Sequence, residues 1–222
     1  MGVVEQLVAD IVKENYPAGS ALPPENILCE KFEVSRTVIR EATKALIEKG
    51  LVDSQQGRGT IVRDRDHWNL LDPIVLANLF QREDGLAYLD NLIEIRAALE
   101  AAMAAKAASR ASPTDRQRLI AQRAKLEATK DIPAEYVRED IALHHLIMEI
   151  SGDVLSSAII RTIHTQAREA SKYHGQPTQV LMSETHDAHL KIIDTILGGD
   201  SESAFATMRE HIESAWKKRR QE

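Results

Sequence analysis

The stretch that decides the fold is Leu22-Pro-Pro-Glu25-Asn-Ile-Leu-Cys-Glu-Lys-Phe32-Glu-Val-Ser35-Arg36-Thr-Val-Ile-Arg40-Glu-Ala-Thr-Lys44-Ala-Leu46. Two short segments with helical apolar spacing flank a tight turn. The first sets Ile27, Leu28 and Phe32 on one side. The second repeats Val38, Ile39, Ala42, Ala45 and Leu46. Ser35 stands at the junction, where its oxygen can cap the second helix. Arg36, Thr37, Arg40 and Lys44 fall on the polar face. A helix, a turn and a helix with basic and polar first turns is the layout that inserts side chains into a DNA major groove.

Downstream, Gly50-Leu-Val-Asp-Ser54, Gln55-Gln56-Gly57-Arg58-Gly59 and Thr60-Ile-Val62 read as strand, turn and strand. With Arg58 at the tip, this predicts a basic hairpin beside the helix pair, hence a winged helix-turn-helix. The bland alternative, a small helical subdomain with an ordinary hairpin, requires four signals to coincide. Upstream, Val4, Leu7, Val8, Ile11 and Val12 predict an amphipathic helix over 3–15, ended by Pro17-Ala-Gly19.

Charge supports the reading. The chain of 222 residues carries a net charge of −6, which argues against nonspecific nucleic-acid binding by the whole molecule. Residues 1–34 hold two Lys/Arg against six Asp/Glu, whereas residues 35–63 hold six against three. Positive charge concentrates where helix and wing would meet phosphates.

The length accommodates two domains. Hydrophobic residues make up 43% and aromatic residues 4%, which predicts aliphatic cores. The single cysteine, Cys29, cannot form an internal disulfide and fits core packing in a reducing compartment. Glu5, Asp10, Lys13 and Glu14 interrupt any signal-peptide core, and no apolar run is long enough to cross a bilayer. The expectation is a soluble, cytoplasmic protein with no membrane partner.

Arg63-Asp-Arg-Asp-His67 reads as a charged linker. The predicted organisation is a DNA-binding domain over 1–66, a linker and connecting helix over 67–85, and a helical domain over 86–219. Asp72-Pro73 marks a helix start. Helices are predicted at about 73–80, 86–109, 113–129, 133–151, 155–174, 178–198 and 201–219, forming an antiparallel bundle in a mainly α protein.

Within this bundle, Asp140 and His144 lie at i and i+4 on one helix face. His186-Asp-Ala-His189 follows two helices later, and His211 lies in the last helix. Three imidazoles and a carboxylate suit a divalent transition metal, Zn before Ni or Mn. Histidines on helices are as often core or surface residues. His145, one position off the ligand face, reads as packing or surface. His186 reads as an outer neighbour, His164 as a pocket-lining candidate, and His174 as a helix-end residue.

The N-terminal motif, from Pro17-Ala-Gly19 and Leu22-Pro23-Pro-Glu25 through Val34-Ser35-Arg36 to Gly57-Arg58-Gly59-Thr60-Ile61-Val62, resembles the GntR family of bacterial transcription regulators. The resemblance covers about residues 3–63. It implies DNA contacts by Ser35, Arg36, Thr37 and Arg40 and by the wing around Gln56, Gly57 and Arg58; Lys44 lies on the same polar face. One departure is Asn26, where the family often carries an arginine.

Leu92-Ile-Glu94-Ile-Arg96-Ala-Ala-Leu-Glu100, Asp140-x-x-x-His144, Ser151-Gly152-Asp153 and His189 with Met208-x-x-His211 resemble the FCD ligand-binding domain of the FadR subfamily. That resemblance implies metal ligation by Asp140, His144, His189 and His211. It also implies effector binding at these residues and Arg96, whose guanidinium can clasp a carboxylate bidentately. Arg96 has a competing partner in Glu100, its i+4 neighbour. Trp68-Asn-Leu-Leu-Asp72 and the Gly19–Glu30 run look like regulators of galactonate-type sugar-acid catabolism.

The expectation is a homodimeric, effector-controlled DNA-binding regulator, most plainly a repressor of a catabolic operon. It is expected to leave a palindromic operator on binding a small carboxylate at the metal. The competing class is a metal-dependent phosphohydrolase using His144 and the His186-Asp187 dyad; it leaves His189, His211 and the N-terminal reader idle. A helical interaction protein with no ligand would make the histidine register accidental.

Overall fold

The computed structural model describes residues 2–169 and 179–220. The predicted end of helix 155–174, with His174, and the predicted start of helix 178–198 lie outside the described residues. The chain divides into two compact units, Met1–Tyr88 and Leu89–Glu222.

The first unit begins with α1 (Val3–Val12), which buries Leu7, Val8, Ile11 and Val12. The helix is shorter than its predicted span of 3–15. Glu14 turns left-handed at φ 64°, and the Asn15 N–H donates back to the Asp10 carbonyl at 2.9 Å. This closes the end before Pro17, whose ring disfavours helix in the preceding residue.

Two helices, α2 (Glu25–Phe32) and α3 (Arg36–Glu48), form the predicted pair. The Ser35 oxygen accepts the Val38 N–H at 3.5 Å. Leu28 and then Ile39, Ala42 and Leu46 enter the core. Ile27 and Val38, both expected on apolar faces, are instead 45% and 42% exposed. Neighbouring helix residues point about 100° apart, and the core takes Leu28 and Ile39 from each pair. Cys29 is half-buried against the same core.

The wing is β1 (Val52–Gln55) paired antiparallel with β2 (Gly59–Val62), Val52 opposite Val62 and Gln55 opposite Gly59. Ala21 bridges to Ile61, and the Leu22 N–H donates to the Thr60 carbonyl at 2.8 Å, tying the loop before α2 to the wing.

Gly50 links α3 to the wing at φ +72°, and a Cβ there would stand 2.1 Å from the His67 carbonyl oxygen. Gly57, at φ +78°, faces open space. Denaturant titration should therefore show Gly50→Ala losing about 3 kcal/mol and Gly57→Ala only about 1. Equal losses would mean that the close approach to His67 carries no cost.

Residues 67–85, predicted as linker and connecting helix, pack into the first unit. Trp68 is buried and donates from Nε1 to the Arg63 carbonyl at 3.0 Å. Lys49 meets Asp72 at 2.5 Å, and the Asn69 N–H donates to the Lys49 carbonyl. Asp72 caps α4 (Pro73–Gln81) by accepting the Ile74 and Val75 N–H groups. Val75 and Leu79 then join Leu7, Val8 and Ile11 in one cluster. The charges at 63–67 look solvated in isolation, but the apolar face that follows them needs cover.

Helix α5 (Gly85–Arg110) carries the chain into the second unit. There α6 (Pro113–Thr129), α7 (Pro133–Ser151), α8 (Val154–Glu169), α9 (Gln179–Gly198) and α10 (Ser201–Arg219) complete the antiparallel bundle. α9 packs on α10 and α6, and α7 on α6 and α8. The core is aliphatic as expected: Leu119, Leu126, Leu143, Ile192, Ile193 and Ile196 are fully buried, with an alanine stripe on α5 at Ala97, Ala101, Ala104 and Ala108. Small side chains there let backbones approach closely. Ser112 and Asp115 close a reciprocal cap at the start of α6.

Candidate metal centre and nucleic-acid interface

Four donors converge inside the bundle. Asp140 and His144 come from one face of α7, His189 from α9 and His211 from α10. Their ligand atoms all lie within 4.8 Å of one another. Asp140 Oδ1 is 3.1 Å from His189 Nε2 and 3.4 Å from His144 Nε2, and the Nε2 atoms of His189 and His211 are 3.2 Å apart. Donors that share an ion at about 2.0–2.2 Å stand roughly 3–3.5 Å apart in adjacent positions. The three imidazoles are buried. Number, type and spacing of the donors fit one divalent ion.

Two of the three rings are oriented from behind. His144 Nδ1 meets Glu100 Oε2 at 2.5 Å, and Glu100 Oε1 accepts from Arg96 Nε at 2.7 Å. His189 Nδ1 meets the Tyr136 hydroxyl at 2.8 Å; that hydroxyl also lies 3.4 Å from His186 Nδ1, and His186 Nε2 is 2.9 Å from Glu127. These partners turn the Nε2 atoms of His144 and His189 toward the centre, the outer-shell support that fixes the tautomer of a ligating imidazole.

Electrostatics complete the preparation. Burial and the neighbouring His189 and His144 push His211 well below its ordinary value, and burial also lowers His189. Both rings are thus neutral and can ligate. His144 is pushed the other way: burial opposes its charge, but Glu100 and Asp140 raise it to about 9. An ion bound there would displace a proton from this ring. Burial works against the Glu100 and Asp140 carboxylates, yet Arg96 and His144 for the first, and His189 and His144 for the second, hold both below the usual range.

A cavity of about 140 Å³ adjoins the centre, lined by Arg96, Asp140, His144, His164 and His211 among others. Arg96 is therefore both the partner of Glu100 and a cavity residue. His164 lines the cavity and His145 is exposed, as read from the sequence, and His186, read as an outer neighbour, stands behind Tyr136. Glu100 as the support of His144 was missed, as was the role of Tyr136. The available signals were a carboxylate inside the alanine stripe of α5 and a tyrosine one turn before Asp140. The phosphohydrolase alternative loses its basis, because His189 and His211 join Asp140 and His144 whereas His186 faces Tyr136 and Glu127 and Asp187 is exposed.

In the first unit, Ser35, Arg36, Thr37, Arg40 and Lys44 are all exposed along α3, and Gln56, Gly57 and Arg58 are exposed at the wing tip. Arg40 pairs with Glu25 at 3.2 Å, and Lys44 pairs with Glu41 at 2.7 Å. Exposed pairs of this kind are worth about 0–1 kcal/mol and exchange readily for phosphate. Arg36 carries no ion pair among the described residues. No helix among the described residues is long and apolar enough to cross a membrane.

Comparison with known proteins gives two matches to family models. Residues 1–62 match bacterial regulatory proteins of the gntR family, and residues 91–214 match the FCD domain. The putative L-lactate dehydrogenase operon regulatory protein of Escherichia coli is 29% identical, over 95% of this chain and 82% of its own. The galactonate operon transcriptional repressor of Escherichia coli is 27% identical, over 91% and 88%. A solved structure of a GntR protein from Streptococcus agalactiae superposes with a TM-score of 0.56 at 24% identity, covering 99% of this chain and 98% of that one, and shows the same fold. The family and these relatives are transcriptional regulators, not enzymes. The chain belongs to the gntR family of bacterial regulatory proteins, with an FCD domain following its winged helix-turn-helix.

Proposed function

We propose that the protein is a repressor of a catabolic operon, a cytoplasmic homodimer that binds a palindromic operator and releases it when a small 2-hydroxycarboxylate binds beside a divalent ion in the bundle. The carrying observation is the convergence of Asp140, His144, His189 and His211 next to a cavity that Arg96 lines. Zinc suits a buried set of three imidazoles and one carboxylate better than nickel or manganese does. When bound, the ion supplies positive charge and open positions that a carboxylate and its neighbouring hydroxyl can share. The two operons named for the relatives above, L-lactate dehydrogenase and galactonate, both concern 2-hydroxycarboxylates.

The chain's own residues do the rest. Arg96, held at Nε by Glu100, presents its guanidinium to the ligand carboxylate. Glu100 and Tyr136 hold the imidazoles in place. On DNA, Arg36 and Arg40 read or neutralise the major groove from α3, Ser35, Thr37 and Lys44 contact the backbone beside them, and Gln56, Gly57 and Arg58 place the wing. Domain roles follow: reading in residues 1–66, sensing in 86–219.

Release requires that the effector bind the DNA-competent arrangement more weakly than another one. By linkage, operator must then weaken effector binding by the same factor. Titrating effector with and without operator, and operator with and without effector, should return equal factors above one. Arg36→Ala should lose about 1–3 kcal/mol of operator affinity and keep its effector affinity. Tight effector binding with unchanged operator affinity would sink the mechanism.

A further inference from the structure

We propose that Glu127 and His186 are positioning residues of the metal centre. They end a hydrogen-bond chain that runs in one direction once an ion sits on His189, and the surface carboxylate thereby helps to set the affinity for the ion. This rests on the reading of Asp140, His144, His189 and His211 as metal ligands.

The direction follows from the protons available. His189 Nε2 lies among the donors, 3.1 Å from Asp140 Oδ1 and 3.2 Å from His211 Nε2. An ion takes the lone pair of that nitrogen, so the ring proton of neutral His189 stands on Nδ1. His189 Nδ1 is 2.8 Å from the Tyr136 hydroxyl, whose oxygen accepts this proton. The hydroxyl keeps a proton of its own, because burial raises Tyr136 above its ordinary value. Among the described residues, the acceptor in reach of that proton is His186 Nδ1, at 3.4 Å. A neutral imidazole that accepts at Nδ1 carries its proton on Nε2, and His186 Nε2 is 2.9 Å from Glu127 Oε2. A carboxylate only accepts, so the chain ends there with every donor facing an acceptor.

Reversing the last link reverses the others. A donor in place of Glu127 would put the His186 proton on Nδ1 and turn the Tyr136 proton toward His189. The His189 proton would then stand on Nε2, where the ion belongs. The helices hold the chain in register. Tyr136 and Asp140 are one turn apart on α7, His186 and His189 are three apart on α9, and α6, which carries Glu127, packs on both helices. Glu127 gives Oε1 to Lys130 and Oε2 to His186, so its surface ion pair leaves the second oxygen for the chain. The Glu127 side chain is 52% exposed and that of His186 9%. The chain thus joins a buried ligand to the surface through two intermediates, and a carboxylate behind an imidazole raises its basicity toward a metal.

The test measures zinc affinity of the full chain by chelator competition. Histidine proton positions are read from long-range nitrogen–proton spectra at about pH 8, above the ordinary imidazole range. In the zinc-loaded parent, His186 should carry its proton on Nε2 and His189 on Nδ1. Glu127→Lys, which sets a donor against a donor, should bind zinc about tenfold more weakly, the low end of the cost of losing an outer partner. Glu127→Gln, whose amide oxygen still accepts, should match the parent. His186→Phe should also lose about tenfold, with helicity unchanged. Adding Glu127→Lys to it should cost nothing further, because members of one chain are not additive; a plain surface-charge effect would add. A His186 proton on Nδ1 in the zinc-loaded parent, or additive losses, would overturn the chain and leave the metal reading standing. Equal zinc affinity in the parent, Glu127→Lys and His186→Phe would do the same. If the parent binds no zinc, chain and metal reading fall together.

Discussion

His211→Ala protein is expected to retain almost no zinc where the parent holds about one ion per chain. The stabilisation that zinc gives the parent should vanish with it. At a free concentration a thousandfold above the dissociation constant, that stabilisation is about 4 kcal/mol, which a thermal melt resolves easily. In the metal-free state the same substitution should cost far less than a buried truncation of this size normally does. His211 stands 3.2 Å from His189 and close to His144, and its charged form is already excluded by burial and by both rings. The ring is thus a poor structural element and a good ligand. Elemental analysis showing undiminished zinc in His211→Ala would return His211 to the core. His189→Ala should match it in zinc content, but should cost more in the metal-free state because the Tyr136 hydroxyl loses a partner.

Glu100→Ala should destabilise the metal-free bundle by about 3–5 kcal/mol, the usual cost of removing one member of a buried ionic group. Glu100 is 2% exposed and faces both Arg96 and His144. Its removal takes a buried counter-charge from both Arg96 and His144. The pH profile identifies the cause. In the folded, metal-free protein His144 is raised from 6.5 to about 9. Its contribution is therefore complete below about pH 6.5 and is lost as pH rises through about 9, a difference on the order of 3 kcal/mol. Glu100 and Asp140 act with the opposite sign: their folded values lie below the ordinary 4.5 and 3.8, so their contribution is present above those values and lost on acidification. The metal-free parent should be most stable near pH 5–6.5 and should weaken toward pH 9, whereas Glu100→Ala, in which only Asp140 still raises His144, should show a shallower alkaline limb. A parallel decline in both proteins would exclude the Glu100–His144 pair as its source. With zinc present, the same variant should bind the ion about 10–100-fold more weakly, as losses of outer-shell partners do.

The reading of this centre from sequence worked where the chemistry is local. Asp140 and His144 share a face because they are four apart; the choice of His189 and His211 among the later histidines came from the resemblance to the FCD domain, not from spacing. Glu100 was visible only as a neighbour of Arg96. That its second oxygen reaches His144, 44 positions away, depends on how α5 packs against α7, which no periodicity encodes. Tyr136 was hidden for the same reason. In the first unit, Ser35 as cap and the glycine-bearing wing were legible from local chemistry. Ile27 and Val38 were misplaced because an apolar residue beside another apolar residue does not say which of the two faces inward. The charged run at 63–67 misled because contacts formed across the fold, Arg65 with Glu14 and with the Tyr88 hydroxyl, look like solvated charges in a one-dimensional reading.

The packing of Trp68 and α4 has a consequence for exchanging parts between regulators. A reading head cut from this chain at Asp66 would carry a core open where Trp68, Val75 and Leu79 close it over Leu7, Val8 and Ile11. Lys49 would lose Asp72. The seam for transplanting the head onto another sensor lies after Tyr88, at the join of the two compact units, and a hybrid joined there inherits an intact head together with the first turn of α5 as its splice.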